Sequence, residues 1–310
     1  MILNALLMSI MCCQQTPVFR IDVDAVQLDV YVEKDGNALP DLTVEDFEVY
    51  DSGVRQDIRL VEPDAVPLST VLLFDTSESV RGEKHHHLKA AARAFLDGLN
   101  ENDRAALLTL STCLQLGGGL GGDITAVYEA LALTEAFGMT ALYDGLYAGL
   151  RLVDKEERPL LLLFTDGRDT SSWLSDVEVL DFMRESNAVV YSVTTQSPPP
   201  DEGPDRANIM AQNMKTGLVS RRKGTVAPEI QFLEEAARLT GGGLLFTESP
   251  QQLQRAFQQV LSEMKTRYLL SYSPTGVDGE GWHELEVKVK KRGAEVKARP
   301  GYWKRPRSPQ

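Results

Sequence analysis

Three oxygen-bearing side chains follow a run of apolar residues in the first third of the chain. The run Val71–Phe74 leads directly into Asp75, Ser77 and Ser79, which are spaced two residues apart on one short turn. A continuous apolar run is typical of a strand buried on both faces of a parallel sheet, and ligands bind at the carboxyl ends of such strands. Because a carboxylate and two hydroxyls offer only oxygen, the pattern favours a hard divalent cation such as Mg²⁺.

Two later stretches contain residues that fit the same site. The run Leu160–Phe164 precedes Thr165 and Asp166, which repeats the pattern of a buried strand followed by an acidic turn. Thr140 lies just ahead of a helical apolar stripe, formed by Leu142, Leu146, Leu150 and Val153. Since the carboxyl ends of parallel strands meet at one edge of a sheet, we expect Asp166 and Thr140 to lie beside the first turn.

The three stretches together resemble the metal-ion-dependent adhesion site of von Willebrand factor type A domains. The resemblance rests on Asp-x-Ser-x-Ser at 75–79, Thr-Ala-Leu-Tyr-Asp at 140–144 and Thr-Asp-Gly at 165–167. It implies a bound Mg²⁺, with Mn²⁺ or Ca²⁺ as alternatives, and a protein partner that supplies an acidic side chain to the metal. The implied ligand positions, direct or through water, are Asp75, Ser77, Ser79, Thr140 and Asp166.

Hydrophobic patterning divides the chain into three parts behind a leader. Strand and helix patterns alternate through residues 67–266, which predicts an α/β fold with a doubly wound, mostly parallel sheet. Strand patterns dominate 17–66 and 267–304, and neither piece is long enough to bury a core alone. We therefore expect both ends to pair as a small β-sandwich into which the α/β domain is inserted. This arrangement resembles the bacterial von Willebrand factor A-related family best known from acidobacteria.

The leader and the net charge bear on location and partners. Residues 1–16 are largely apolar and too short to span a bilayer, which predicts a secretory signal and a secreted or periplasmic protein without a transmembrane helix in its mature form. A lipid anchor at Cys12 is the alternative, although the large Met11 stands where a small residue is expected. The net charge of −13 argues against nucleic acid as a partner.

Four other features have simpler explanations than a binding site. The formal G-x-G-x-x-G at 117–122 does not follow the first strand of the α/β domain, so we expect a loop rather than a dinucleotide site. His85–His87 are consecutive on a helix and point in different directions, which favours a solvated face over a transition-metal site. Cys113 is expected to be a small buried side chain. The proline-rich insertion at 197–226 is either functional or disordered, and the sequence leaves that open.

The leading hypothesis is a binding or adhesion module and not an enzyme. The enzymatic alternative is a Mg²⁺-dependent phosphohydrolase with Asp75 as nucleophile, but Ser77 stands where that type of phosphatase needs a second aspartate. A third hypothesis is an envelope-assembly subunit that works without metal. Partner binding that is lost in EDTA would separate the first hypothesis from the third.

Overall fold

The computed structural model describes residues 25–61, 66–121, 123–166, 168–195, 227–277 and 279–304. The predicted signal segment, its lipid-anchor alternative and the 197–226 insertion lie outside these ranges. None of the helices within them combines the length and the apolar composition that crossing a bilayer requires.

Within the described ranges the chain forms fifteen strands and six α-helices, numbered here in chain order. The strands are β1 Val26–Lys34, β2 Asn37–Ala38, β3 Phe47–Asp51, β4 Val54–Arg55, β5 Arg59–Val61, β6 Ser69–Asp75, β7 Arg104–Leu110, β8 Leu114–Gly117, β9 Pro159–Thr165, β10 Val189–Thr194, β11 Gly243–Phe246, β12 Tyr268–Tyr272, β13 Gly281–Val289, β14 Glu295–Lys297 and β15 Gly301–Lys304. The helices are α1 Glu83–Leu96, α2 Ile124–Leu133, α3 Leu142–Val153, α4 Asp176–Glu185, α5 Pro228–Thr240 and α6 Pro250–Thr266.

A central sheet in the order β11-β10-β9-β6-β7-β8 confirms the predicted α/β fold. Its neighbouring strands run parallel, except that β8 pairs with β7 in the antiparallel sense. The sequence did not predict β8 because three of its four residues are exposed and give no apolar run. Every residue of β6 and β9 is buried, as their apolar runs indicated. These two central strands carry the candidate site at their carboxyl ends.

Helices cover both faces of this sheet and bury two apolar cores. On one face α1, α2 and α6 pack around Phe74, where the rings of Phe74 and Phe95 each meet Phe257 edge-on. On the other face α3, α4 and α5 pack against the opposite side of β6 and β9. Burying each large apolar side chain contributes roughly 1.5–3 kcal/mol, so both cores hold the strand ends firmly in register.

The two ends of the chain form a β-sandwich, as predicted. In the described residues one sheet has the order β14-β1-β12-β5, with β2 beside β1, and the other has the order β15-β13-β3-β4. β1 pairs with β12 and β3 pairs with β13, both antiparallel, so each sheet is built from strands of both ends of the chain. Their inner faces share one core, which includes Leu28, Val49 and Leu270.

A buried carboxylate ties four strands of the sandwich together. Asp51 at the end of β3 accepts hydrogen bonds from the hydroxyls of Tyr272 at 2.9 Å and Tyr302 at 2.8 Å. Its other oxygen lies 2.9 Å from His283 Nδ1, and His283 Nε2 lies 3.2 Å from the Gly279 carbonyl oxygen. Burial, together with the Asp51 charge, raises the pKa of Tyr272 well above its usual range. Asp51 therefore links β3 to β12, β13 and β15.

A second buried group joins the sandwich to the α/β domain. The side chain of Arg267, directly after α6, is fully buried. It donates to the Tyr191 hydroxyl of β10 at 2.9 Å, to the Gly241 carbonyl at 2.6 Å and to the Asp29 carbonyl of β1 at 3.3 Å. These bonds fix the end of α6 against both parts of the molecule.

Candidate metal centre

The first carboxylate of the site lies where β6 and β9 end side by side. Phe74 is level with Phe164 in the parallel register, which brings Asp75 and Thr165 together. The Thr165 hydroxyl donates to Asp75 Oδ2 at 2.9 Å, and the Ser77 N–H donates to Asp75 Oδ1 at 2.9 Å. Asp75 is thus fixed by the neighbouring strand and by its own turn.

The two serine hydroxyls connect this turn to the second carboxylate. Ser79 Oγ donates to Asp166 Oδ1 at 2.7 Å, and Ser77 Oγ lies 2.9 Å from Ser79 Oγ. Because Ser79 gives its single hydroxyl hydrogen to Asp166, Ser77 is the donor to Ser79. Hydrogen bonds therefore link four of the five predicted ligand residues into one cluster.

Thr140, the fifth predicted ligand residue, lies on the loop that precedes α3, and backbone hydrogen bonds join this loop to the turn of the cluster. The Phe137 N–H donates to the Thr76 carbonyl at 2.7 Å, and the Glu78 N–H donates to the Gly138 carbonyl at 3.0 Å. Gly138 has φ +78°, and an added Cβ would lie 2.4 Å from the Thr112 hydroxyl oxygen, so this close approach requires glycine. The loop thereby holds the buried Thr140 beside the turn that carries Ser77 and Ser79.

The two carboxylates of the cluster are stabilised by a nearby positive charge. Asp75 is 0% exposed, and burial raises the pKa of its carboxyl, against hydrogen bonds from Ser77 and Thr165 that lower it. The nearby charge of Asp166 raises the pKa of Asp75 further. Two carboxylates at one edge of the sheet repel each other unless a cation lies between or beside them.

A cation of the chain itself is bound to the second carboxylate. Lys84 Nζ lies 2.8 Å from Asp166 Oδ2, and the lysine side chain is 52% exposed whereas that of Asp166 is 3% exposed. Sequence reasoning missed Lys84. The sequence contained only a weak indication that Lys84 has a partner. It is a lysine in the first turn of α1, where the helix dipole favours an acidic residue.

The donor set fits a hard divalent cation. Its atoms are the carboxylate oxygens of Asp75 and Asp166 and the hydroxyl oxygens of Ser77 and Ser79. Oxygen-only sets suit Mg²⁺, Mn²⁺ or Ca²⁺ better than zinc or copper. The Lys84 ammonium on Asp166 stands in for part of the charge that such an ion would bring.

Residues 70–168 match the family model of the von Willebrand factor type A domain. The chain contains a von Willebrand factor type A domain. Such A domains often bind a metal ion at this adhesion site, and they commonly mediate protein interactions. The finer resemblance to the acidobacterial-type family stays a prediction.

Several solved structures are distantly similar. An aerotolerance-related membrane protein from Bacteroides fragilis is 15% identical, with a TM-score of 0.46 over 63% of this chain and 99% of that one. BatB from Bacteroides thetaiotaomicron is 16% identical, with a TM-score of 0.45 over 64% and 98%. Proximal thread matrix protein 1 from the mussel byssus, with a zinc-occupied MIDAS motif, is 16% identical, with a TM-score of 0.49 over 68% of this chain and 49% of that one. No curated protein matches the sequence.

A loop of the A domain that sequence reasoning missed caps the helix next to Thr140. Ala141, which precedes α3, has no side chain that could cap the helix. Asp169 Oδ1 accepts the Leu142 N–H at 2.8 Å instead, and Ser172 Oγ accepts the N–H groups of Tyr143 at 3.0 Å and Asp144 at 3.2 Å. The first three helix donors are therefore satisfied from a loop about thirty residues later, which no local capping pattern reveals.

Two other residue groups lie near the site without joining it. His85 Nε2 lies 3.1 Å from the Thr134 hydroxyl, and burial lowers the pKa of His85. His86 and His87 contact each other, with ring centroids 5.9 Å apart.

The expectation that Cys113 is buried was wrong, because it lies in the exposed turn between β7 and β8 and not inside a strand.

Proposed function

We propose that this A domain is an extracytoplasmic binding module that holds a protein partner through a divalent cation, with Mg²⁺ as the first candidate. The observation that carries the proposal is the hydrogen-bonded cluster of Ser77, Ser79 and Asp166 beside the buried Asp75. Four oxygen-bearing side chains from two strand ends already lie within contact of one another. This arrangement supplies ligands for a hard cation with little further ordering.

The residues of the site have different expected roles. Ser77 and Ser79 would bind the ion through their hydroxyls, and Asp75, Thr140 and Asp166 would hold it directly or through water. The bound ion would supply positive charge and an open coordination position for an acidic side chain of the partner. Asp166 would release Lys84 when the ion binds, because the ammonium and the ion need the same carboxylate.

The surroundings of Asp75 favour binding over catalysis. A carboxylate nucleophile needs an oxygen that faces its substrate. Asp75 is 0% exposed, and its two oxygens accept hydrogen bonds from Ser77 and Thr165. We therefore propose no phosphohydrolase activity. The extracytoplasmic location rests on the apolar segment 1–16, outside the described residues.

Calorimetric titration with Mg²⁺ tests the proposal directly. Ser77→Ala removes a hydroxyl ligand and Asp166→Ala removes charge, so each variant should bind Mg²⁺ roughly 10–100-fold more weakly than the wild-type chain. Asp57→Ala, at an exposed position in the sandwich, is the matched control and should bind Mg²⁺ normally. Parallel titrations with Mn²⁺ and Ca²⁺ rank the ions.

Thermal melting in EDTA keeps this test free of folding effects. Both site variants should melt close to wild type without metal. Asp166→Ala relieves the repulsion between Asp166 and Asp75, and Ser77→Ala removes a single hydrogen bond between two hydroxyls. Wild-type Mg²⁺ affinity in both variants would contradict the metal site. If the chain binds Mg²⁺ but binds no peptide or protein in a metal-dependent way, the metal site is supported and the adhesion role is contradicted.

A further inference from the structure

The most exposed large apolar side chain near the candidate metal centre is a tryptophan. Trp173 is 96% exposed, and Phe137 and Met139 on the neighbouring loop are 40% and 50% exposed. These three residues are called the apolar rim below. A fully exposed indole leaves about 200 Å² of largely apolar surface in water, and exposed apolar patches bordered by polar residues are a feature of interaction sites.

Hydrogen bonds fix the backbone that carries this indole. The Asp144 carboxylate accepts the Trp173 N–H at 3.0 and 3.1 Å and the Leu174 N–H at 3.0 Å. Ser172, immediately before Trp173, caps α3 as described above. The tryptophan is therefore exposed on an ordered loop, and a loop backbone that is already held in place loses little conformational entropy on binding.

The loop is joined directly to the metal centre. The Thr170 and Ser171 N–H groups donate to the Thr140 carbonyl at 2.8 and 3.1 Å, and the Thr140 N–H donates to the Thr170 hydroxyl at 2.9 Å. Phe137 and Met139 precede Thr140 by three residues and one residue. The apolar rim thus comes from the two loops that meet at Thr140.

Two ion pairs beside the rim present their cations outward. Lys84 is 52% exposed over Asp166, which is 3% exposed, and Arg168 is 74% exposed over Glu229, which is 10% exposed. An approaching molecule therefore meets ammonium and guanidinium groups before it meets their carboxylates. On a chain of net charge −13, this is a local preference for an acidic ligand.

We propose that Trp173 anchors the partner, and that the partner presents an acidic peptide segment with an aromatic or aliphatic side chain close to its metal-binding carboxylate. The carboxylate half of this recognition rests on the proposed function. The apolar half rests on the apolar rim alone. An exposed tryptophan on an ordered backbone, beside charged groups, is the residue type that interface hot spots favour.

The probe for this proposal is a random peptide library displayed on phage and selected on the full chain in Mg²⁺. Selected peptides should combine Asp or Glu with a nearby aromatic or aliphatic residue. The chain has three tryptophans, so the double variant Trp282→Phe/Trp303→Phe leaves Trp173 as the sole indole. Binding of a synthetic selected peptide should shift the emission of that indole to the blue as it leaves water.

Matched variants separate the anchor from the metal. Trp173→Ala should weaken the selected peptides about 30-fold, which corresponds to about 2 kcal/mol, and should abolish the preference for the apolar residue. Trp303→Ala, at a 45% exposed tryptophan of β15, should leave binding unchanged. Asp144→Ala should weaken peptide binding but keep the preference for an apolar residue. The loop loses the carboxylate that accepts its N–H groups, whereas the Trp173 indole remains.

Each outcome bears on one of the two proposals. If EDTA abolishes peptide binding, while Trp173→Ala changes neither the peptide affinity nor the preference for an apolar residue, the proposal that Trp173 is the anchor is overturned and the metal site stands. If Trp173→Ala abolishes the preference while EDTA and Asp166→Ala have no effect, the anchor stands and the metal-dependent function fails. A selection that yields no Trp173-dependent peptide also overturns the anchor.

Discussion

Lys84 and Asp166 form an ion pair across the candidate metal centre, with Nζ 2.8 Å from Oδ2. The pair joins the first turn of α1 to the residue that follows β9. It places a positive charge against a carboxylate that is 3% exposed, next to a second carboxylate, Asp75, that is fully buried. The A domain thus carries its own counter-ion, which the proposed metal ion would have to displace.

Replacing Lys84 should raise the affinity for Mg²⁺. In Lys84→Met the carboxylate of Asp166 has no competing ammonium. An ion pair whose lysine is half exposed contributes up to about 1 kcal/mol, so we expect up to about fivefold tighter binding by calorimetry. The gain should shrink at high salt, which already screens the ion pair. Lys155→Met, an exposed lysine between α3 and β9 at the opposite edge of the sheet, is the control. Unchanged or weaker binding in Lys84→Met would show that the ammonium does not compete.

Removing the Asp51 carboxylate should destabilise the β-sandwich strongly. Asp51→Ala leaves the hydroxyls of Tyr272 and Tyr302 and the ring of His283 buried without their acceptor. Breaking a buried charged network in this way costs roughly 3–5 kcal/mol, measured by urea denaturation. Asp57→Ala, at an exposed position, should change the free energy of unfolding by less than about 0.5 kcal/mol. A loss that small in Asp51→Ala would mean that the network contributes little.

Deleting residues 281–310 should unfold the early strands. The deletion removes β13, the partner of β3, and β14, a partner of β1. It also takes Leu285 and Tyr302 out of the sandwich core. Hydrogen exchange should show rapid exchange in β3 and lowered protection across Val26–Val32, while β6 and β9 keep theirs as the internal control. Native protection of β1 and β3 in the truncated chain would rule out this dependence.

Alkaline pH should destabilise the contact between α1 and α2. The Tyr128 hydroxyl donates to Asp97 Oδ1 at 2.6 Å, and burial together with this carboxylate raises the pKa of Tyr128 from 10.0 to about 12. Above pH 10 the unfolded chain loses this phenol proton while the folded chain keeps it. The stability contributed by this proton is therefore present below pH 10 and is lost as pH rises towards about 12.

Other buried tyrosines share this direction, so the measurement compares the wild-type chain with Tyr128→Phe. Urea denaturation at several pH values above 10 should give a shallower fall in the free energy of unfolding for the variant. Parallel pH profiles for the two chains would place the ionisation of Tyr128 at its ordinary pH.

Local sequence pattern was enough to predict the strands that carry the site. The apolar runs before Asp75 and Asp166 predict strands buried on both faces, because only the interior of a sheet covered by helices buries every residue of a strand. β7 and β12 likewise coincide with apolar stretches, and all but one residue of each strand is buried. β8, whose residues are mostly exposed, offered no such pattern.

The sequence by itself determined which residues end the central strands, and hence that Asp75, Ser77, Ser79 and Asp166 meet at one edge. Only the tertiary structure decided what surrounds them: the Lys84 counter-ion, the exposure of Cys113 and the loop that caps α3 and presents Trp173. The physical reason is the range of the interactions. Burial of a strand is encoded in its own residues, whereas an ion pair 82 residues apart or a cap supplied from about thirty residues away depends on how separate loops pack.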